Sequence, residues 1–167
     1  MGINDKNVTL EGVRLIWRNF SGEEKQFNAA GDRNFNVVLP SEIAEAMLAD
    51  GWKVKTKPPR EEGDEPLRYL PVKVFFGKVP PRIFMITSKG RTPLDEDLCG
   101  MLDWADLENV DLILRPHDWK VNGNTGRKAY LHALYATIHE DDLELKYANI
   151  PDAEFEPDDF IDPMTVL

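Results

Sequence analysis

The sequence is poor in the features that mark most enzymes and most secreted proteins. It has one cysteine, Cys99, in 167 residues. No disulfide can close within the chain, no Cys-based zinc site can form, and a reducing cytosol is the expected compartment. Cys99 lies in an acidic stretch, which raises a thiol pKa rather than activating it. There are three histidines, His117, His132 and His139, and none has a second ligand at the helical spacing of a metal motif. His139-Glu140-Asp141-Asp142 gathers metal-ligating residue types, yet it stands where the body gives way to the tail, and a solvated strand end is the simpler reading. GxSxG, Walker A and GxGxxG are absent, and Gly90, Gly100 and Gly123 are isolated. No apolar run approaches the length of a membrane span. The opening MGINDKNVTLEG lacks the apolar core of a secretory signal, and Lys6 stands where a myristoylation motif needs Ser or Thr. The expectation is a binding protein, not an enzyme, with no cofactor, no metal ion and no membrane partner.

Charge of one sign dominates the total, and its distribution matters more than its sum. The net charge is −10, which taken alone argues against a nucleic-acid partner. Residues 140–167, however, hold ten acids and one base, Lys146, and so carry −9, leaving −1 for residues 1–139. Within that body, Lys53 to Arg91 has ten bases and four acids, while Asp95 to Asp111 has seven acids and no base. The chain therefore divides into a near-neutral body with a basic middle and a short acidic patch, and a strongly acidic tail.

Periodicity in the body favours strands. Val8 and Leu10 alternate, Gly12 interrupts with an expected bend, and Val13, Leu15 and Trp17 then share one face opposite Arg14, Ile16, Arg18 and Phe20. Arg33 to Leu39 alternates again, with Arg33, Phe35, Val37 and Leu39 on one side. Ser41 reads as a helix N-cap, Gly51 as its stop, and Ile43, Met47 and Leu48 as its apolar face. Trp52 to Thr56 is a short strand, and KPPREEGDEP (57–66) a polar, Pro-rich loop. Arg68 to Phe76 and Arg82 to Thr87 are further strands. Thr92-Pro93 resembles an N-cap and N1 pair, with Leu94, Leu98, Met101 and Leu102 behind it. Val110 to Val121 and Arg127 to Ile138 form a long hairpin around a five-residue loop, Asn122 to Gly126, and Pro116 needs a bulge or an edge. The tail, with IPDAEFEPDDFIDPMTVL, has too little apolar surface for a core and is expected to be disordered. The prediction is a mainly β fold. It is an OB-type antiparallel barrel over residues 1–139, with one or two short helices, followed by an acidic flexible tail over 140–167.

One constellation carries function. Arginine and lysine alternate with aromatics on strands, the combination that single-stranded nucleic acid requires. Phosphates need a basic groove, and unstacked bases need flat rings. The candidate phosphate contacts are Arg18, Arg33, Lys53, Lys55, Lys73, Arg115, Lys120, Arg127 and Lys128. The candidate stacking platforms are Phe20, Phe35, Phe75, Trp119 and Tyr130. The rival reading is structural: about half or more of such strand aromatics belong to the core. Trp17 and Phe76, on apolar faces, are assigned there, and Phe35 shares its face with Val37 and Leu39. Strand-end arginines are often only solvated edge guards. The tail adds a second feature, because a flexible polyanion can occupy a basic groove in place of DNA. Its apolar residues Phe155, Phe160, Ile161, Met164, Val166 and Leu167 are candidates for docking on partner proteins.

Four stretches carry a family resemblance: NFSGEEKQFNAAGDRNFNVVLP (19–40), ADGWKVK (49–55), YLPVKV (69–74) and RPHDWKVNGNTGRKAYLHALYATI (115–138). Together they resemble a family of bacteriophage single-stranded DNA-binding proteins with an OB-type fold, across about residues 8–139. GDRNF and DWKVNG-x-x-GRKAYL are the more specific parts. The resemblance implies a protein that coats single-stranded DNA with little sequence preference during phage replication or recombination, in the cytoplasm of the infected host. The acidic tail, which relatives among phage replication proteins also carry, is consistent with the resemblance and would recruit replication or recombination proteins; a solubilising tail is the plainer alternative. Free sheet edges leave a homodimer open. Two other classes stay open at this level: an acidic protein-interaction or DNA-mimic module aimed at a host protein, and a metal-assisted nuclease using His132 or His139.

Overall fold

The computed structural model describes residues 6–140. The tail residues Phe155, Phe160, Ile161, Met164, Val166 and Leu167 lie outside the described residues. Nine strands, one α-helix and one 3-10 helix follow in order. They are β1 (Val8–Leu10), β2 (Arg14–Asn19), β3 (Arg33–Val38), α1 (Ser41–Ala49), β4 (Lys55–Lys57), β5 (Leu67–Val74), β6 (Arg82–Thr87), β7 (Gly90–Leu94), the 3-10 helix Cys99–Asp103, β8 (Leu107–Val121) and β9 (Asn124–Ile138).

The sheet order is β1-β8-β9-β5-β3-β2. Its first and last strands are consecutive in sequence, so the bend between them carries the chain from one edge of the sheet to the other. Gly12 makes that bend with φ +61°, a region that costs an L-residue energy but not glycine. Its N–H donates to Asp111 Oδ1 at 2.8 Å, and the Val13 N–H donates to the Val110 carbonyl at 3.0 Å. The result is an OB-like, partly open barrel.

Antiparallel ladders dominate, but the sheet is mixed. β9 runs parallel to β5 at residues 129–130 and parallel to β6 at residues 133–137. Strand direction leaves no trace in period-two alternation, so the all-antiparallel expectation could not have seen this. β7 pairs with β6, and β4 with β5.

The sequence expectations of a helix after Thr92-Pro93 and of a five-residue hairpin loop are both corrected. Thr92 and Pro93 lie in β7, where Pro93 is tolerated because that strand is an edge. Only the short 3-10 helix follows. The β8–β9 hairpin closes through Asn122-Gly123 alone, with φ +50° and +83°, and Val121 pairs Asn124. Two positive φ values in sequence match the right-handed twist of the flanking strands. Pro116 pairs with Ala129 past the end of β1 and so faces an open edge of β8, as its missing N–H requires. In α1 the N-cap is Pro40 rather than Ser41, with no side-chain cap. Only Ala44 and Met47 of that helix are buried, while Ile43 and Leu48 are exposed.

The core lies inside the barrel: Phe35 and Val37 of β3, Leu70, Val72 and Val74 of β5, Leu112 and Leu114 of β8, and Leu131, Leu134 and Ala136 of β9. Phe20 joins them, and Trp17 does not. The reason is a bulge. Ile16 pairs Asn36 and Asn19 pairs Asn34, so β2 spends one residue more than β3 over this interval. One extra residue inverts the alternation. Trp17, at φ +49°, turns outward and is 51% exposed, and Phe20 turns inward to stack on Phe35 with centroids 4.9 Å apart.

Candidate nucleic-acid interface

The outward residues of β3, β5 and β9 are the alternates of the buried ones. Leu70, Val72 and Val74 point in, so Tyr69, Pro71 and Lys73 point out. Register then aligns side chains across four strands. Asn34 pairs Lys73, Lys73 pairs Tyr130, and Tyr130 pairs Arg115. Beside this row Lys128 pairs His117, and Lys55 pairs Tyr69. One continuous outer face thus carries bases and rings from β8 to β4.

A groove of about 450 Å³ crosses this face, lined by Lys53, Lys55, Lys73 and Lys128 together with Asn34 and Phe27. All four lysines are exposed. Asp32 also lines it, so the groove is strongly but not purely cationic. Lys53 is delivered by the α1–β4 connection, whose backbone N–H donates to the Arg127 carbonyl at 3.3 Å.

Aromatic rings flank the groove on both sides. On one side Phe75, 53% exposed, meets Tyr130 edge-on at 6.5 Å. His117 stacks on Tyr130 at 4.8 Å, the Arg115 guanidinium sits 5.8 Å from the same ring, and Lys73 Nζ lies 5.9 Å from Phe75. Gly77 makes room for Phe75, since a Cβ there would fall 2.2 Å from the ring. On the other side Trp17 meets Tyr69 edge-to-face at 4.9 Å, with Lys57 Nζ 5.5 Å from the indole. Phe27, 94% exposed, stands at the groove in the loop between β2 and β3. Trp119 is half-buried over Gly126, where a Cβ would fall 2.6 Å from the indole, and Lys53 Nζ is 5.9 Å from its ring. Lys120 is exposed beside it at the hairpin tip.

Five residues expected at the interface are placed elsewhere. Phe20 and Phe35 are fully buried and stacked on each other, so neither can receive a base. Arg18 donates from Nη1 to the Leu102 and Ala105 carbonyls, both at 2.8 Å. Arg33 donates to the Phe20 carbonyl and pairs with Glu96 at 3.7 Å. Arg127 is 1% exposed. Its Nε and Nη2 bond both oxygens of Asp118 at 2.8 and 3.1 Å, and its Nη1 bonds Asp50 at 3.2 Å. The guanidinium beside Asp118 holds that carboxyl below its ordinary value. These three arginines tie elements together. Trp17, Tyr69, Lys57, His117 and Phe27 join the candidate face only in the structure. Tyr69 lay within YLPVKV and Lys57 at the mouth of a polar loop, but the bulge that exposes Trp17 has no signature in period-two alternation.

Among the described residues no three His, Cys, Asp or Glu side chains gather as a metal site, and no helix is long and apolar enough to cross a membrane. Burial pushes the Cys99 thiol up, against the nearby Arg33 guanidinium, which lowers it.

Known proteins place the fold. No curated protein matches the sequence. The single-stranded DNA-binding protein of bacteriophage Enc34, in its complex with ssDNA, has a TM-score of 0.55 at 9% identity over 81% of this chain and 88% of its own. A further structure of the Enc34 protein gives 0.55 at 8% over 92% of this chain and 88% of its own. Its C-terminal truncation gives 0.54 at 9% over 81% and 87%. At such identities the likeness is one of fold. The sequence itself goes further: the model of the phage ssDNA-binding domain family matches residues 2–163, nearly the whole chain, and this chain belongs to that family.

Proposed function

We propose that the protein coats single-stranded DNA with little sequence preference during phage DNA replication or recombination, in the cytoplasm of the infected host. The observation that carries this reading is the convergence of Lys53, Lys55, Lys73 and Lys128 in one groove between two exposed aromatic clusters. Lysines neutralise phosphates without reading bases, and rings accept any base. Family membership and an ssDNA complex of a protein of the same fold support it.

The acidic tail is the proposed regulator. Residues 140–167 carry −9 and compete with DNA for the lysine groove. Phe155, Phe160, Ile161, Met164, Val166 and Leu167 dock on replication or recombination proteins when the tail is displaced. Its root is held at the body: Glu140 accepts from the Ser88 N–H and, at 2.7 Å, from the Ser88 hydroxyl. Self-association as a homodimer would use a free sheet edge such as β7, and sedimentation of the full chain reads it directly.

Titration of labelled single-stranded and duplex oligonucleotides tests the main reading. Four phosphate-contacting lysines predict a log–log salt slope of about −3 for a single strand. Equal and negligible affinity for both forms, with and without residues 140–167, would sink it. Deleting 140–167 is expected to tighten ssDNA binding; weaker binding would refute competition by the tail.

A further inference from the structure

The 3-10 helix Cys99–Asp103 presents an apolar ridge that the DNA face does not use. A 3-10 helix has three residues per turn, so residues three apart line up. Leu98, Met101 and Trp104 form one such line, tied by Met101 N–H to the Leu98 carbonyl at 3.2 Å and Trp104 N–H to the Met101 carbonyl at 3.3 Å. All three are exposed, Trp104 by 87%. The second line, Cys99 and Leu102, is buried in the core. The third, Gly100 and Asp103, packs against the end of β2. A Cβ on Gly100 would fall 3.0 Å from Ser21, and Asp103 accepts from the Phe20 N–H at 2.6 Å and the Ser21 hydroxyl at 2.7 Å. Arg18 holds the same segment through the Leu102 and Ala105 carbonyls.

The backbone beneath the ridge is therefore held in place, and the exposure of its side chains is built in by the fold. An indole and a thioether presented on a fixed backbone suit an interface hot spot, because the backbone needs no ordering on binding. Its surroundings select the partner. Asp95 to Asp111 carries seven acids and no base. A polar cleft of about 600 Å³ opens beside Trp104, lined by Asp106 and Glu108 and also by Arg14 and Arg18, of which Arg18 is bonded to the Leu102 and Ala105 carbonyls. The excess of acids over 95–111 disfavours a polyanion and favours a cationic partner.

We propose that the Leu98–Met101–Trp104 ridge is a docking site for a basic amphipathic segment of a partner protein, separate from the DNA groove. Apolar side chains of that segment cover the ridge, and its Lys or Arg residues meet the acids around it. The site stays open while DNA occupies the lysine face, so a partner of this kind reaches the protein on coated DNA.

The test uses the full chain and a short synthetic helix-forming peptide with Leu on one face and Lys on the other. The same peptide with Glu in place of Lys is the control. The indole N–H resonance of Trp104, assigned by its loss in Trp104→Ala, is followed by NMR with and without saturating single-stranded oligonucleotide. The expected result is a shift with the Lys peptide in both conditions and none with the Glu peptide. Trp104→Ala and Met101→Ser should each weaken peptide binding about tenfold or more, with ssDNA affinity and thermal midpoint unchanged. Undiminished peptide binding by both variants, with signals moving only in residues 140–167, overturns the proposal in favour of capture by the acidic tail. Self-association of the wild-type chain that Trp104→Ala abolishes overturns it in favour of an interface between copies. Failure of the wild-type chain to bind ssDNA would count against the proposed function and leave the peptide result to stand by itself.

Discussion

Residue by residue, the difference between a ring that stacks on a base and a ring that fills a core is one of direction. Phe20 and Trp17 lie three positions apart, and the bulge in β2 exchanges their roles. Trp17→Ala and Phe75→Ala are each expected to cost about 1–3 kcal/mol in ssDNA binding while leaving the thermal midpoint in place. Phe35→Ala is expected to cost about 3–5 kcal/mol in stability. Fluorescence titration alongside thermal denaturation separates the two. A folded Phe35→Ala protein with the binding loss of Trp17→Ala would return Phe35 to the interface. For the cations, Lys73→Ala should weaken ssDNA binding about 3- to 10-fold and flatten the salt slope by roughly 0.7. An unchanged slope would show that Lys73 meets no phosphate.

Among elements, the β8–β9 hairpin and the α1–β4 connection are joined by Arg127. It bonds Asp118 on β8 and Asp50 after α1, and its guanidinium lies 5.5 Å from the Trp52 ring. Arg127→Ala should destabilise the fold by about 1.5–3 kcal/mol, and not more, because Asp118 is half exposed and screened by water. Urea unfolding measures this. The same pair sets a pH dependence. Asp118 has a folded pKa below its ordinary 3.8, so its contribution is present in full above that value and is lost as pH falls through the lowered one. The stability gap between wild type and Arg127→Ala should therefore be constant near neutrality and narrow below about pH 4. A gap unchanged at about pH 3 would exclude Asp118 as the partner that matters. That Arg127 is an internal strut was not legible in the sequence. RKAY reads as two cations and a ring on a strand, and only the arrival of Asp50 and Asp118 from other elements separates Arg127 from its exposed neighbour Lys128.

For the whole molecule, closure of the barrel depends on a single bend. Gly12, at φ +61°, joins the two ends of the sheet. Gly12→Val should cost at least about 1–2 kcal/mol, since a β-branched residue is strained there. It should also weaken ssDNA binding only to the extent that the protein unfolds. Wild-type stability in Gly12→Val would show that the bend relaxes without opening the sheet.

The sequence by itself determined the mainly β class, most of the strand positions though not β7, a bulge or bend at Gly12, the separation of charge into body and tail, and the family. All of these are written in local alternation, turn residues and motif runs. It also offered Lys53, Lys55, Lys73 and Lys128 as phosphate contacts, but among nine cations that local pattern does not rank. The tertiary structure alone decided which aromatics face out, which arginines are consumed internally, and which strands run parallel. Those outcomes depend on one inserted residue in β2, on carboxylates and carbonyls brought from distant segments, and on pairings between strands far apart in the chain. None of these leaves a mark in the local pattern.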